Sequence, residues 1–568
     1  MNAWILRAAI ALALTGCAGM TAPSQAASNP KPPKQSQSLE EMDAGFLYLA
    51  AQDAIQRNQP ELAARFLMAL VAKEPTAIEP RMELAELYIH LNQPKSALQQ
   101  IEALRANPGL SDEMRIHVNM LYARTLFGSG KIDEAIAALS KLVDTYPDQI
   151  AARQILVQWL AGSGRMDEAM AVVQAGIKHE DSPDLRQLEA QLYMQQGNLA
   201  KARKALLRMR TLAPDDNVPV LMLSAIAIQM HKPAEAETLL RDYLQGHPDD
   251  LQIGNMLGRL LVQQGRIKEA IDIYEQISQQ TGGEPDVLIA LGLLYFQQGN
   301  YAAAAKQFEN ALDKRPDSQT HYYLGLSLEG QQQDDRALQQ FQTIKAGSPL
   351  YPDAQLRIAD IEFRQHKDES AIKRTQAILA AHPDSGEAYL MLSIIRLARE
   401  EYRLLLDETA PAMKLKIVPT RLLFNRAVAF DHFKQYDALE KSLRTLLASR
   451  PDDSEALNFL GYSLAERGVR LDEAERLVKR ALKAKPNDGY YLDSLAWTYF
   501  KQGKYAEAIK VQVRAVGIVK GDPVMHEHLG DMYWKHGDHD KARAMWKEAI
   551  RLKHQDPDLL RKKIKEGI

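Results

Sequence analysis

Cys17 is the only cysteine in 568 residues, so no disulfide can form within the chain. No strand-forming stretch is present and no glycine-rich loop follows one, which removes the usual cradle for a nucleotide phosphate. Charge of one sign is not in excess: 70 Lys and Arg stand against 73 Asp and Glu, a net charge of −3. No basic tract interleaved with aromatics appears either, so nothing points to nucleic acid. The apolar run near the N-terminus, Ala8 to Leu14, is far shorter than the roughly 20 residues of a membrane-spanning helix. The remaining composition, 46% hydrophobic and 25% charged, is that of an ordinary folded protein.

What is present is a hairpin template, clearest from Asp286 to Pro316. Leu288, Leu291, Gly292 and Tyr295 fall on one stripe at three-and-four spacing, which predicts an amphipathic helix. Gln298-Gly299-Asn300 supplies a turn, a second stripe follows at Ala304, Phe308 and Ala311, and Pro316 ends it. Small residues let the two helices approach, and larger ones fill the gaps beside them. Such a hairpin cannot bury its outer stripe alone and needs copies of itself as neighbours.

The copies are there. Stepping by about 34 residues from Gly292, the small or tolerated residues are Ala51, Ala85, Ala123, Val157, Ala190, Ser224 and Gly258 before it. Gly325, Ala359, Ser393, Ala427, Gly461, Ala496 and Gly530 follow. Thirteen units repeat an alanine in the second helix, and two place Leu405 or Leu439 there. The pattern resembles the tetratricopeptide repeat (TPR). That resemblance implies an all-α fold, a right-handed superhelical solenoid of about 15 hairpins.

Departures from register divide the chain. Residues 38–400 read as an N-terminal and central array, with one loop lengthened at NPGLSD. Residues 401–420 form an irregular joint, because Pro411 must end or kink the second helix there. That joint is either a hinge or a unit repacked around a broken helix. Residues 421–556 continue the array, with one residue added at Gly468-Val469-Arg470-Leu471. Residues 557–568 read as a capping helix whose Arg561, Lys562, Lys563 and Lys565 give the stack a polar end; contact with anionic lipid is the alternative.

The N-terminus reads as a signal peptide over residues 1–16, with Arg7 ahead of the short apolar run. Leu14-Thr15-Gly16-Cys17 resembles the lipobox of bacterial lipoproteins, against the plainer reading of an ordinary leader with an incidental cysteine. The resemblance implies cleavage before Cys17 and its lipidation with three acyl chains, enough for a stable anchor. Ala18, where the enterobacterial rule for inner-membrane retention has aspartate, implies the outer membrane, with the array in the periplasm. Residues 17–37, rich in Ser, Ala, Pro and Gln, read as a lipidated flexible tether.

No catalytic constellation, metal site or cofactor motif is legible, so an enzyme is not expected. His526, His528, His536 and His539 cluster near the end, but residues two apart on a helix diverge, and ordinary surface histidines are the expectation. Glu168, Glu269 and Glu507 read as solvent-facing helix starters. In the TPR family the concave surface is lined from positions three before, one after and four after the small index residue. Carried onto this chain, those positions hold Phe296, Tyr322, Tyr462, Asp493, Trp497, Phe500, Asp531 and Trp534. Aromatics there either grip a partner or pack between helices.

The run Ala456–Lys510 is similar to that of long outer-membrane TPR lipoproteins of Gram-negative bacteria. Members of that group act as adaptors bringing peptidoglycan hydrolases to a periplasmic carboxyl-terminal processing protease. The alternative in the same class is a scaffold for export of an exopolysaccharide or a pilus subunit.

Overall fold

A computed structural model describes residues 39–568; the expected signal peptide, Cys17 and the expected tether lie outside the described residues. The chain divides into two compact units, residues 1–239 and 240–568. Among the described residues there are fifteen helical hairpins, a closing helix and one short 3-10 segment, with no strand. None of those helices is long and apolar enough to cross a membrane. The first unit runs from the hairpin Ala44–Gln56 with Pro60–Lys73, and the second ends in Pro523–His536, His539–Arg551 and the closing helix Pro557–Glu566.

Several helices start on a side chain that accepts from their first amides. Asp317 accepts from Thr320, Asp453 from Ala456 and Ser111 from Met114, and proline occupies the first turn at Pro60, Pro183 and Pro523, where no amide is lost. Each hairpin turn needs a residue in the left-handed region. Eight turns use glycine, as at Gly299, and seven force another residue into it, among them His366, Glu400 and Lys434.

The index positions are buried in every hairpin, as are the alanines or leucines of the second helices. A size match within the hairpin accounts for this at four of the five index glycines; at the fifth, Gly461, the facing side chain is Val478, 2.6 Å from a Cβ placed there. Sixteen residues after the index glycines Gly258, Gly292, Gly325 and Gly530 stand Tyr274, Phe308, Phe341 and Trp546. A Cβ at Gly258, Gly292 or Gly325 would lie 2.5 Å from the opposing ring. Where the index is alanine the partner shrinks: Ala51 packs in one cluster with Leu67, Ala85 with Ile101, Ala190 with Leu206 and Ala427 with Leu443. Large faces absent and small faces present, so helices of different sequence keep one spacing.

Around Pro411 the second helix stops at Glu408, and Ala410–Lys414 turns into a 3-10 segment. The shortened unit is held by side chains instead. Arg396 pairs with Glu401 and, at 2.7 Å, with Glu408. Arg426 donates to the Leu406 carbonyl at 2.9 Å and the Thr409 hydroxyl at 2.6 Å, while Ala412 is buried in a cluster with Tyr389 and Leu422.

Candidate partner-binding face

The C-terminal hairpins bring most of the expected residues together, but against one another. The first helix Gly489–Lys501 begins on Asp488, whose carboxylate accepts from the amides of Tyr490 and Tyr491, and it carries Asp493, Trp497 and Phe500. Trp497 is only 7% exposed: its ring stacks on Phe500 at 4.9 Å and on His528 at 4.1 Å, and its indole N–H donates to Glu466. Asp493, also buried, accepts from Gln512 at 2.5 Å and lies 2.9 Å from His528 Nδ1.

Asp531 is closed in the same way. It accepts from the Trp546 indole at 2.8 Å and pairs with Lys563 at 2.7 Å. Lys563 also reaches Glu527 at 2.7 Å, so this lysine of the closing helix is not part of a solvated polar end, as the sequence suggested, but a clamp between elements. Trp534 packs on Trp546 at 5.5 Å and His539 at 4.1 Å, and a Cβ at Gly567 would collide with its ring, so the tail lies directly over it. His526 and His528 are buried rather than on the surface.

Burial raises the Asp531 carboxyl against the pull of Lys563. For His528 burial opposes the charge, yet Asp493, Asp531 and Glu527 outweigh it and raise the imidazole above its ordinary value. Tyr462, half-buried, is raised by burial and then by the carboxylates Glu466, Asp493, Asp431 and Glu527 around it.

The middle hairpins differ. Phe296 meets Tyr301 and Tyr323 edge-on, and Tyr322 leans on Phe341 at 5.7 Å. The second helix of that hairpin, Asp334–Thr343, has 10 residues where Tyr301–Lys314 has 14. Beside the loop that replaces its last turn lies a cavity of about 980 Å³ lined by His321, Tyr322, Tyr323, Lys345 and Ser348. Tyr322 also walls a second cavity of about 240 Å³, with Leu356, Leu390, Met391 and Ile394 as apolar lining and Asp353, Arg357, Asp360 and Glu387 as charged lining. Burial lowers Arg357, but the Tyr322 hydroxyl, Glu329 and Asp360 outweigh it and raise the guanidinium.

Of the eight candidate residues, Tyr322 therefore faces open space on two sides, while Asp493, Trp497, Asp531 and Trp534 are engaged by neighbouring elements. The residues missed from sequence are Asp353 and Glu387. Each stands six before its index residue, in the first turn of a helix where an acid is expected for its own sake.

Tetratricopeptide-repeat models match residues 289–355, 435–489, 470–523 and 494–559 in one form, and 126–192, 160–226 and 227–294 in another. The chain belongs to the tetratricopeptide-repeat family. It is 30% identical over 215 residues to the TPR repeat-containing protein PA4667 of Pseudomonas aeruginosa, a match covering 37% of this chain and 36% of that one. It is 22% identical over 412 residues to the TPR repeat-containing protein YpiA of Bacillus subtilis, covering 68% and 94%. Among solved structures, the APC/C hetero-tetramer Cut9-Hcn1 aligns over 93% of this chain and 97% of that one at 14% identity, with a TM-score of 0.32. A tetratricopeptide repeat protein from Parabacteroides merdae aligns over 44% and 98%, at 14% identity and a TM-score of 0.27.

Proposed function

We propose that this chain is a lipid-anchored periplasmic scaffold without catalysis of its own, which brings peptidoglycan hydrolases to a carboxyl-terminal processing protease. The observation that carries the binding role is the pair of cavities sharing Tyr322, which sets aromatic and apolar surface beside the carboxylates Asp353 and Glu387. The compartment rests on Leu14-Thr15-Gly16-Cys17, and the protease partnership on the similarity of Ala456–Lys510 to the adaptor lipoproteins. The mechanism is proximity. Two proteins held on one frame meet at an effective concentration of roughly millimolar, with no new reactive group required.

Capture from membranes with the anchored protein tests this. A protease and cell-wall hydrolases should be recovered, and Tyr322→Ala with Glu387→Lys should cut that recovery about tenfold at unchanged helicity. Recovery of export machinery instead would sink the adaptor role, and unchanged recovery by the double variant would sink the groove. Palmitate labelling that survives Cys17→Ser would sink the anchor.

A further inference from the structure

We propose that the outer face of the first hairpin is a two-fold contact between two copies of this chain. The residue five before the index is where a hairpin stacks on the second helix of the one before it. Val118 packs there with Ile101 and Leu104, Leu185 with Ala169 and Val173, and Met525 with Ala515. In the first hairpin that register position is Phe46, 56% exposed, and Leu49 one turn on is 69% exposed. Large apolar side chains thus stand at a stacking position that no described residue covers.

The chemistry of the surroundings selects the occupant. The residues leading into the hairpin, 18–38, hold Met20 as their one large apolar side chain and four prolines, a composition without the apolar stripe that would match Phe46. A bilayer is disfavoured by Glu40, Glu41, Asp43 and Asp53, which outnumber Arg57 on the edge of the first helix, because anionic headgroups repel such an edge. A second copy fits that same distribution. The acids Glu40, Glu41 and Asp43 precede the helix Ala44–Gln56 and Arg57 follows it, where it pairs with Asp53 at 3.1 Å.

Two such helices packed antiparallel about an axis at Leu49 set each acidic end against the partner's Arg57. Their dipoles oppose and Phe46 and Leu49 lie at the centre, which is the self-complementarity an isologous contact requires. The contact stands apart from the identity of any bound protease. Anchored through Cys17, both copies would share one bilayer, and this confinement favours a contact of modest area.

The test is oxidative cross-linking of the full chain in its membrane with copper phenanthroline. Leu49→Cys should give a covalent dimer that neither the native chain, with Cys17 alone, nor Asp133→Cys gives, and adding Phe46→Glu should lower its yield at least tenfold. No dimer from Leu49→Cys, an equal yield from Asp133→Cys, or a cross-link to a different protein overturns the proposal. Flotation of the purified chain with phosphatidylcholine and phosphatidylglycerol vesicles, lost in Phe46→Glu with no dimer formed, assigns the face to lipid and overturns it as well.

Discussion

Gly292 and Phe308 are fitted to each other across one hairpin: the ring occupies the space in which a Cβ at Gly292 would stand, 2.5 Å from Phe308 Cε1. Gly292→Ala should therefore destabilise its hairpin by about 2 kcal/mol through overpacking. The same change made on top of Phe308→Leu should cost less than about 0.5 kcal/mol, because Ala with Leu is the pairing used at Ala190 and Leu206. Hydrogen exchange over residues 285–314 reads both values, and additive costs would refute the match.

The left-handed turn residues give a stabilising prediction. Lys434, at φ 55°, pays for a conformation that glycine adopts freely. Lys434→Gly should raise the denaturation midpoint by the equivalent of about 0.5–1 kcal/mol after the greater freedom of glycine in the unfolded chain is counted. Gly503→Lys, at φ 76°, should lower it.

His528 and Asp531 make the last hairpin sensitive to pH, both in one direction. The imidazole is raised above its unfolded value, so its contribution is fully present below about pH 6.5 and is lost as pH rises through the folded value. The Asp531 carboxyl, also raised, binds its proton more tightly folded than unfolded, and stability again falls as pH rises, in a lower window. Exchange protection of Pro523–His536 should thus fall as pH rises above about 6.5, and His528→Gln should flatten that change. A rise in protection with pH would contradict the arrangement.

The unit containing Pro411 depends on Arg396, which is nearly buried between Glu401 and Glu408. Arg396→Ala leaves Glu408 without its cation while Glu401 keeps Arg399 at 2.8 Å, and should cost about 3 kcal/mol. Pro411→Ala should change stability by less than about 1 kcal/mol, because the helix has already ended at Glu408 and Ala412 is packed in place. Urea melts followed by near-ultraviolet circular dichroism check both.

The hairpins were legible because spacing and residue size act within about 34 residues: Gly292, Ala304 and Phe308 announce their own contact. What covers a residue from outside the hairpin was not legible. Trp497 and Trp534 stand at register positions of the lining face, yet His528 and the Gly567 tail close over them, and neither partner follows from the spacing. Lys563 looked like solvent-facing charge because its carboxylates, Glu527 and Asp531, lie more than thirty residues away. Tyr322 was marked, but the cavity beside it depends on a second helix that stops at Thr343.

The pairing of each index residue with the side chain sixteen positions later carries a historical consequence. Gly530 with Trp546 and Ala427 with Leu443 are separate solutions, each complete inside one hairpin. Breakpoints between hairpins would transplant a solution intact, whereas a crossover inside one would set alanine against tryptophan and force a clash. Lengthening by tandem duplication of whole hairpins is thus the permitted route, and shuffled chimeras cut at hairpin borders should be the ones that remain soluble.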